Sequence, residues 1–172
     1  MRQRTLTLVL GLTLVAAACG GAATQSDTDS AAAPQGTAAP TTTFTLFDGT
    51  TATLADYQGQ PVVVNFWASW CPSCVAEMSA AFRPAQQLLG DDVAFLGVNT
   101  QDERDRALRL VDETGVLFDL AEDPLGELYL ALEGIGMPFT VFIDADGNIV
   151  HEHNGPLTEQ QLIDQIEESL LS

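Results

Sequence analysis

The sequence has a continuous apolar run directly before a pair of cysteines. Residues 61–67 read PVVVNFW, and Cys71 and Cys74 follow closely. A run of strand length without polar alternation is typical of a strand buried on both faces of a parallel or mixed sheet. Apolar residues at helical spacing begin at Cys74, so the cysteines lie at a strand-to-helix junction. The pattern therefore predicts an α/β fold with this strand at its centre.

The rest of the pattern predicts the element order β-β-β-α-β-α-β-α-β-β-α. Hairpins are expected to turn at Asp48-Gly49 and Asp146-Gly147, because Asp-Gly between β-prone runs favours tight turns. Pro84 lies within the helix that begins at Cys74, so we expect a kink there. Thr158 is the predicted N-cap of the last helix. The other predicted elements are strands at 93–98 and 116–120 and helices at 102–114, which Gly115 ends, and 124–132.

The first 18 residues have the pattern of an export signal. Two arginines stand within the first four residues, an apolar stretch spans 6–15, and three alanines lead to Cys19. The apolar stretch is shorter than the roughly 20 residues that a transmembrane helix needs. A cysteine in this place resembles the lipobox of bacterial lipoproteins, although Ala16 stands where Leu or Val is usual. We therefore predict a lipoprotein signal peptide at 1–18 and lipidation of Cys19, with a plainly secreted or uncleaved form as the alternative.

Residues 19–43 are predicted to form the lipidated cysteine and a flexible tether. Between Cys19 and Phe44 the chain has no aromatic and no large aliphatic residue. Such a segment cannot bury enough apolar surface to offset the entropy lost on ordering. The folded domain is therefore predicted at 44–172.

Acidic residues dominate the charge of the chain. The sequence has six basic residues, all of them arginine, and 24 acidic ones, which gives a formal net charge of −18. An acidic surface repels phosphate backbones and anionic lipid headgroups. The composition therefore excludes nucleic acid as a partner and indicates that any membrane link is covalent.

The spacing of Cys71 and Cys74 gives the two cysteines different environments. Cys71 lies at the predicted helix N-terminus, where free backbone N–H groups and the positive end of the helix dipole stabilise an anion. Its thiolate is therefore favoured near neutral pH and is nucleophilic. Cys74, one turn further along, is placed to attack a mixed disulfide formed on Cys71. Pro72 suits the first turn, because a proline has no N–H to leave unpaired there.

These motifs resemble those of a known family. Residues 62–74, VVVNFWASWCPSC, look like the strand and active-site motif of the thioredoxin superfamily. The stretches at 44–62 and 134–150 make the chain similar to the TlpA/ResA/DsbE group of membrane-tethered, extracytoplasmic thiol-disulfide oxidoreductases. The resemblance spans 44–172 and implies a thioredoxin-like fold, a central mixed sheet flanked by helices, with an N-terminal β-hairpin and a central strand-helix insertion. That insertion, at 116–132, either shapes partner choice or only packs against the core.

The resemblance implies roles for the residues around the cysteines. Asn65 occupies the place of a buried Asp in cytoplasmic thioredoxins and cannot titrate. Glu77 matches the acid that tunes the thiols in ResA-like members. It shares a helix face with Cys74, so it either takes the proton of that thiol or only complements the helix dipole. Pro72 and Ser73 are expected to tune the redox potential.

A second group of residues is expected to face the substrate. Pro138 lies where the superfamily has a cis peptide bond opposite the cysteines, which leaves the Met137 backbone free to pair with an extended substrate. An ordinary trans proline that opens a strand is the alternative. Trp70 is expected on the substrate-facing rim and Trp67 in the core.

Other functions of a Cys-x-x-Cys pair have less support in this sequence. A metal site, including one for copper transfer, lacks a second pair of ligands, because only His151 and His153 remain and we expect them on an exposed strand face. A structural disulfide in a binding module would stabilise little, because its loop is short. A peroxidase is expected to have Thr three residues before the reactive cysteine, where Ala68 stands.

Function and location follow from the resemblance as expectations. We expect a thiol-disulfide oxidoreductase whose redox group is the Cys71–Cys74 disulfide, with no metal or other cofactor. Its expected partners are exported protein thiols or disulfides, such as apocytochrome c, and a membrane thiol-disulfide electron carrier. The family favours a reductant, with an oxidant of exported proteins as the alternative. A monomer anchored at the extracytoplasmic face of the bacterial cell membrane is expected.

Overall fold

The structure is a computed structural model that describes residues 36–172. Its strands are β1 Thr37–Ala38, β2 Phe44–Leu46, β3 Thr51–Ala52, β4 Val62–Trp67, β5 Ala94–Thr100, β6 Asp119–Asp123, β7 Phe139–Ile143 and β8 Asn148–Asn154. Within this described part of the chain they form one mixed sheet in the order β1-β8-β7-β4-β5-β6-β2-β3. Strand β4 pairs in parallel with β5 and antiparallel with β7, so it is central, as predicted.

Helices cover the sheet. They are a 3₁₀ helix Leu54–Tyr57, α1 Pro72–Glu77, a π-helical turn Met78–Phe82, α2 Arg83–Leu89, α3 Arg104–Thr114, α4 Glu127–Ala131 and α5 Glu159–Leu170. Over residues 36–172, no helix has both the length and the apolar character needed to span a membrane. The predicted signal at 1–18 and Cys19 lie outside the described residues.

Strand β4 is buried over all six residues, because both of its faces are covered. Val64 and Phe66 pack on one face, against the 3₁₀ helix and α4. Val63 packs on the other face, against the π-helical turn, α2 and α5. Alternate side chains of a strand share a face, so Asn65 and Trp67 point the same way as Val63. This alternation places an amide and an indole ring under the helix that carries the cysteines.

Both predicted hairpins are present. Strands β2 and β3 pair antiparallel, and so do β7 and β8. Their turns contain Gly49 and Gly147, whose φ angles of 92° and 87° lie in the region that favours glycine. Helix α3 ends at Gly115, and the Thr158 hydroxyl caps α5 by accepting the Gln161 N–H, both as predicted.

The sequence predicts a kink at Pro84 in the helix after the cysteines. The structure has a π-helical turn, Met78–Phe82, just before that residue. Pro84 has no N–H for the carbonyl four residues earlier, and its ring crowds that carbonyl in a regular α-helix. The wider π turn accommodates this conflict.

Between α3 and β7 the chain forms the predicted strand and helix, but both start later than predicted. Strand β6 is Asp119–Asp123 rather than 116–120, because pairing with both β5 and β2 fixes its position. Helix α4 starts after Gly126, whose left-handed φ of 72° interrupts a helix that would begin at residue 124.

The sheet begins within the segment predicted as tether at 19–43. Thr37 pairs with Ile149 and Ala38 with Asn148, antiparallel, at the edge of the sheet. This pairing uses backbone groups and needs no large apolar side chain, so the composition of the segment does not reveal it. The folded part therefore extends upstream of the predicted boundary.

Candidate active site

Cys71 and Cys74 lie where β4 gives way to α1. Strand β4 ends at Trp67, and α1 starts at Pro72, two residues before the predicted helix start. Cys71 is the N-cap of α1, and Pro72 takes the first position inside the helix. The two cysteines are joined by a disulfide.

The sulfur of Cys71 lies at the positive end of α1. It accepts the Cys74 N–H at 3.3 Å and is 3.5 Å from the Ser73 hydroxyl oxygen. These donors and the helix dipole stabilise the Cys71 thiolate that forms when the disulfide opens. Cys71 is 5% exposed and Cys74 is fully buried. Cys71 is therefore the more accessible of the two cysteines.

Glu77 lies on the buried side of α1 and is only 3% exposed. Its Oε1 accepts the Leu157 N–H at 2.7 Å, and its Oε2 is 3.5 Å from Asn65 Nδ2. Burial raises the pKa of Glu77 to about 7, although both of these donors favour the charged form and lower it. A carboxyl group with this pKa gains and loses its proton near neutral pH, as a general base for a thiol must.

An open groove of about 370 Å³ lies between α1 and the loop before α5. Its lining is mainly apolar and includes Ser73, Ala76, Glu77 and Leu157. Glu77 therefore contributes to the lining of this groove, although its side chain is buried.

Asn65 lies on β4 and is 1% exposed. Its Nδ2 donates to the Thr140 hydroxyl oxygen at 3.1 Å and faces Glu77. The amide nitrogen carries two hydrogens, so it can donate to the Thr140 hydroxyl and to the Glu77 carboxylate at once. The Thr140 hydroxyl thereby holds the NH₂ side of the amide towards Glu77. Because Asn65 cannot exchange a proton, Glu77 is the group that titrates at this point.

The peptide bond between Met137 and Pro138 is cis, as the resemblance implies. Met137 packs against the buried cluster that contains both cysteines. The Pro138 carbonyl accepts the Gly155 N–H at 2.9 Å. That bond links the cis turn to the loop after β8.

The two tryptophans occupy different environments. Trp67 is fully buried at the end of β4, whereas Trp70 is 53% exposed beside Cys71. The Trp70 indole N–H donates to the Gln101 carbonyl at 3.1 Å. The ring is therefore held in place while half of its surface stays accessible to a partner.

Asp102 is a residue of the site that the sequence did not reveal. Its carboxylate accepts the backbone N–H and the hydroxyl of Ser69, the side-chain amide of Asn99 and the N–H of Glu103. Burial alone would raise the pKa of Asp102, but these hydrogen bonds outweigh burial and hold the pKa below its usual value. The loop before Cys71 is thereby tied to the end of β5. An Asp just before a helix is common as a cap, so the pattern gave no sign of a contact to Ser69.

His151 and His153 are half-buried, so the predicted exposed strand face is wrong for both. The His151 ring lies 5.2 Å from that of Phe142, its partner on β7. Burial and the neighbouring His151 lower the pKa of His153.

The sequence matches the model of the Redoxin family over residues 34–170. The thiol:disulfide interchange protein DsbE of Escherichia coli (strain K12) is 38% identical over 101 residues, which are 58% of this chain and 52% of DsbE. DsbE of Vibrio cholerae serotype O1 is 34% identical over 105 residues, 60% of this chain and 55% of that protein. The chain thus spans about half the length of the curated relatives it matches.

A solved structure shares the fold. It is that of a secreted Mycobacterium tuberculosis disulfide oxidoreductase homologous to E. coli DsbE. The two superpose with a TM-score of 0.68 at 25% identity, over 74% of this chain and 96% of the other. The predicted thioredoxin-like fold is therefore confirmed. With a family match that spans nearly all of the described residues and a disulfide at the head of α1, the chain belongs to the Redoxin family.

Proposed function

We propose that this protein is a thiol-disulfide oxidoreductase that exchanges its Cys71–Cys74 disulfide with exported proteins. The observation that carries the proposal is the disulfide at the N-terminus of α1, with Cys71 on the accessible side and Cys74 fully buried. The identity to DsbE proteins of two bacteria supports the same reaction.

The proposed reaction transfers two electrons in two steps. In the reducing direction the Cys71 thiolate attacks a disulfide sulfur of the partner, so that a mixed disulfide forms and one partner sulfur leaves as a thiolate. Cys74 then gives its proton to Glu77 and attacks the Cys71 sulfur. The Cys71–Cys74 bond forms, the mixed disulfide breaks, and the second partner sulfur leaves. The partner gains two electrons and this protein loses two.

Glu77 acts as the proton acceptor of this scheme, directly or through one water. Its burial and its position one turn after Cys74 support this role. Asn65 lowers the pKa of Glu77 by directing its NH₂ group at the carboxylate. Pro72 and Ser73 tune the potential, since Ser73 lies beside the Cys71 sulfur and Pro72 begins the helix.

The substrate-binding surface is formed by Trp70 and by the Met137-Pro138 turn. Trp70 precedes Cys71 in the chain, and Met137 packs against the buried cluster that contains Cys71. Trp70 also has the accessible area that a bound chain can cover. An extended partner segment would pair with the Met137 backbone while its sulfur meets Cys71.

We further propose that the protein works as a reductant, with apocytochrome c among its substrates and a membrane thiol-disulfide carrier as its electron source. The resemblance to ResA-like members supports this direction. The test combines thiol trapping in intact cells with measurement of the purified domain's potential against glutathione. A mostly reduced cysteine pair with a potential below about −200 mV is expected. A mostly oxidised pair with a higher potential would show that the protein is an oxidant.

A paired substitution tests the exchange reaction itself. Cys71→Ala with Cys74→Ala is expected to keep the fold and lose all exchange with a disulfide-containing peptide. An unfolded double variant would indicate that the disulfide is structural.

We propose separately that Cys19 carries a lipid anchor. The signal pattern at 1–18 and the position of Cys19 support attachment to the extracytoplasmic face of the membrane. Cells fed a labelled fatty-acid analogue should label the wild-type protein, and Cys19→Ala should abolish the label. Equal labelling of both proteins would refute lipidation at Cys19.

A further inference from the structure

Three residues in the loop between β8 and α5 contact two separate parts of the site. The Gly155 N–H donates to the Pro138 carbonyl at 2.9 Å. Two residues later, the Leu157 N–H donates to Glu77 Oε1 at 2.7 Å. Residues 155–157 therefore form a short bridge between the cis turn and the buried carboxyl group.

We propose that residues 155–157 are a positioning element, which uses the cis turn at Pro138 as its support and places the Leu157 N–H on the Glu77 carboxylate. The inference deepens the proposed function, because it concerns the group proposed to accept the Cys74 proton. The bridge does not touch the sulfur atoms and acts through Glu77.

The bridge is held by its contacts and by Pro156. Gly155 has a φ of 105°, which glycine adopts readily, and its N–H bond to the Pro138 carbonyl fixes its position. Pro156 has its φ fixed by the ring. Leu157 is 4% exposed and packs in the core with α2 and α5. A segment with so little freedom transmits the position of the Pro138 carbonyl to the Leu157 N–H.

The Leu157 N–H is the closer of the two donors to Glu77, since Asn65 Nδ2 lies 3.5 Å away. Asn65 and Thr140 face Glu77 from β4 and β7 and do not titrate. Cys74 on α1 is held in the disulfide and does not titrate in the oxidised protein. The titratable group on this side is Glu159 at the start of α5, which lines the same groove. The Leu157 N–H is therefore the donor that contributes most to stabilising the charged form of Glu77.

Single-atom changes of the backbone test the bridge. Amide-to-ester replacement at Leu157 or at Gly155 removes one N–H and keeps the side chains. Gly59 is the matched control, because its φ is 99°, a Cβ there would meet nothing within 4 Å, as at Gly155, and its N–H also bonds a distant carbonyl at 2.9 Å. The readout is the titration midpoint of Glu77, followed by the ¹³C signal of its carboxyl carbon in the oxidised protein.

We expect the ester at Leu157 to raise the Glu77 midpoint by about one pH unit, because the carboxylate loses its closest donor. The ester at Gly155 should raise it by a smaller amount, and the ester at Gly59 should leave it unchanged. A wild-type midpoint for the Gly155 ester would overturn the bridge. A midpoint raised equally by the Gly59 ester would show that the effect is not specific.

The substitution Gly155→Ala, with Gly59→Ala as control, repeats the test by ordinary mutagenesis. Both place a side chain at a strained φ in open space, so loss of general stability should be similar. Only Gly155→Ala should raise the Glu77 midpoint. Because the titration is measured in oxidised protein, it does not depend on exchange. A wild-type protein that fails to exchange thiols would refute the proposed function and leave this result standing.

Discussion

Glu77 and Leu157 are 80 residues apart in sequence and are joined by a hydrogen bond of 2.7 Å between the Leu157 N–H and Glu77 Oε1. The bond brings the loop before α5 onto the helix that carries the cysteines. It favours the charged carboxylate, whereas burial disfavours it, and the balance puts the pKa of Glu77 at about 7. We therefore expect the proton on Glu77 to affect both thiol exchange and stability.

Replacing Glu77 with Gln keeps the shape of the side chain and removes the proposed proton acceptor. We expect exchange with a disulfide peptide at pH 8 to slow on the order of 10²-fold, the lower end of general-base contributions. We expect the wild-type rate to rise near pH 7, where Glu77 loses its proton, and this rise should be absent in Glu77→Gln. Stopped-flow fluorescence of the tryptophans measures both. Glu159→Gln changes a carboxylate that lines the same groove and should keep the wild-type profile; an unchanged profile in Glu77→Gln would argue against a base at this position.

The same substitution should change how stability depends on pH. The pKa of Glu77 is raised from 4.5 to about 7 in the folded state, so the folded protein holds this proton more tightly than the unfolded chain. That stabilisation is fully present below about pH 4.5 and is lost as the pH rises through about 7. The free energy of unfolding of the wild type, minus that of Glu77→Gln, should fall by about 3 kcal/mol between pH 4 and pH 8. Urea unfolding of the oxidised proteins tests this, and a difference that grows with pH would contradict it.

Asp102 should stabilise the loop before Cys71. In Asp102→Ala the Ser69 and Asn99 donors lose their acceptor, and we expect a loss of about 1–3 kcal/mol in the free energy of unfolding. Alkylation of Cys71 in the reduced protein should become faster, because the loop is released. Asp105→Ala, at an exposed position in the first turn of α3, should change neither quantity. Equal effects of the two substitutions would rule out a specific role for Asp102.

Trp70 should contribute to the binding of protein partners and not to exchange with small thiols. Half of its surface is accessible, so a bound chain can cover it. We expect Trp70→Ala to raise KM for a protein substrate about 5- to 30-fold, which corresponds to 1–2 kcal/mol of lost contact. The rate of exchange with dithiothreitol should stay within about twofold of the wild-type rate. Leu117→Ala removes an apolar side chain beside the end of α2 that is even more exposed, at 79%, and should change neither the KM nor the exchange with dithiothreitol.

Local sequence patterns were sufficient to predict the centre of the fold. The run at β4, the N-cap at Cys71 and the disturbance before Pro84 each depend on neighbouring residues, and the structure shows all three. The glycine turns were predicted for the same reason, since Asp-Gly pairs limit the backbone locally. Elements that are determined by residues close together in the chain can thus be predicted from the sequence.

The features that sequence analysis missed depend on contacts between distant residues. Strand β6 ends in acidic residues, which are unfavourable in strands, yet Asp123 is only 5% exposed. Its carboxylate accepts the N–H groups of Leu128 and Tyr129 at the start of α4, and this tertiary arrangement compensates its burial. The contacts of Asp102 to Ser69 and of Leu157 to Glu77 are of the same kind. No local pattern encodes them, because each partner looks ordinary in its own segment.

Both edges of the sheet are strands of two residues, β1 and β3. A short edge strand offers few unpaired N–H and C=O groups on which a neighbouring chain could extend the sheet. The net charge of −18 adds mutual repulsion between molecules. Copies of this domain crowded side by side would therefore resist edge-to-edge aggregation, even while their cysteine pairs pass through reduced and mixed-disulfide states.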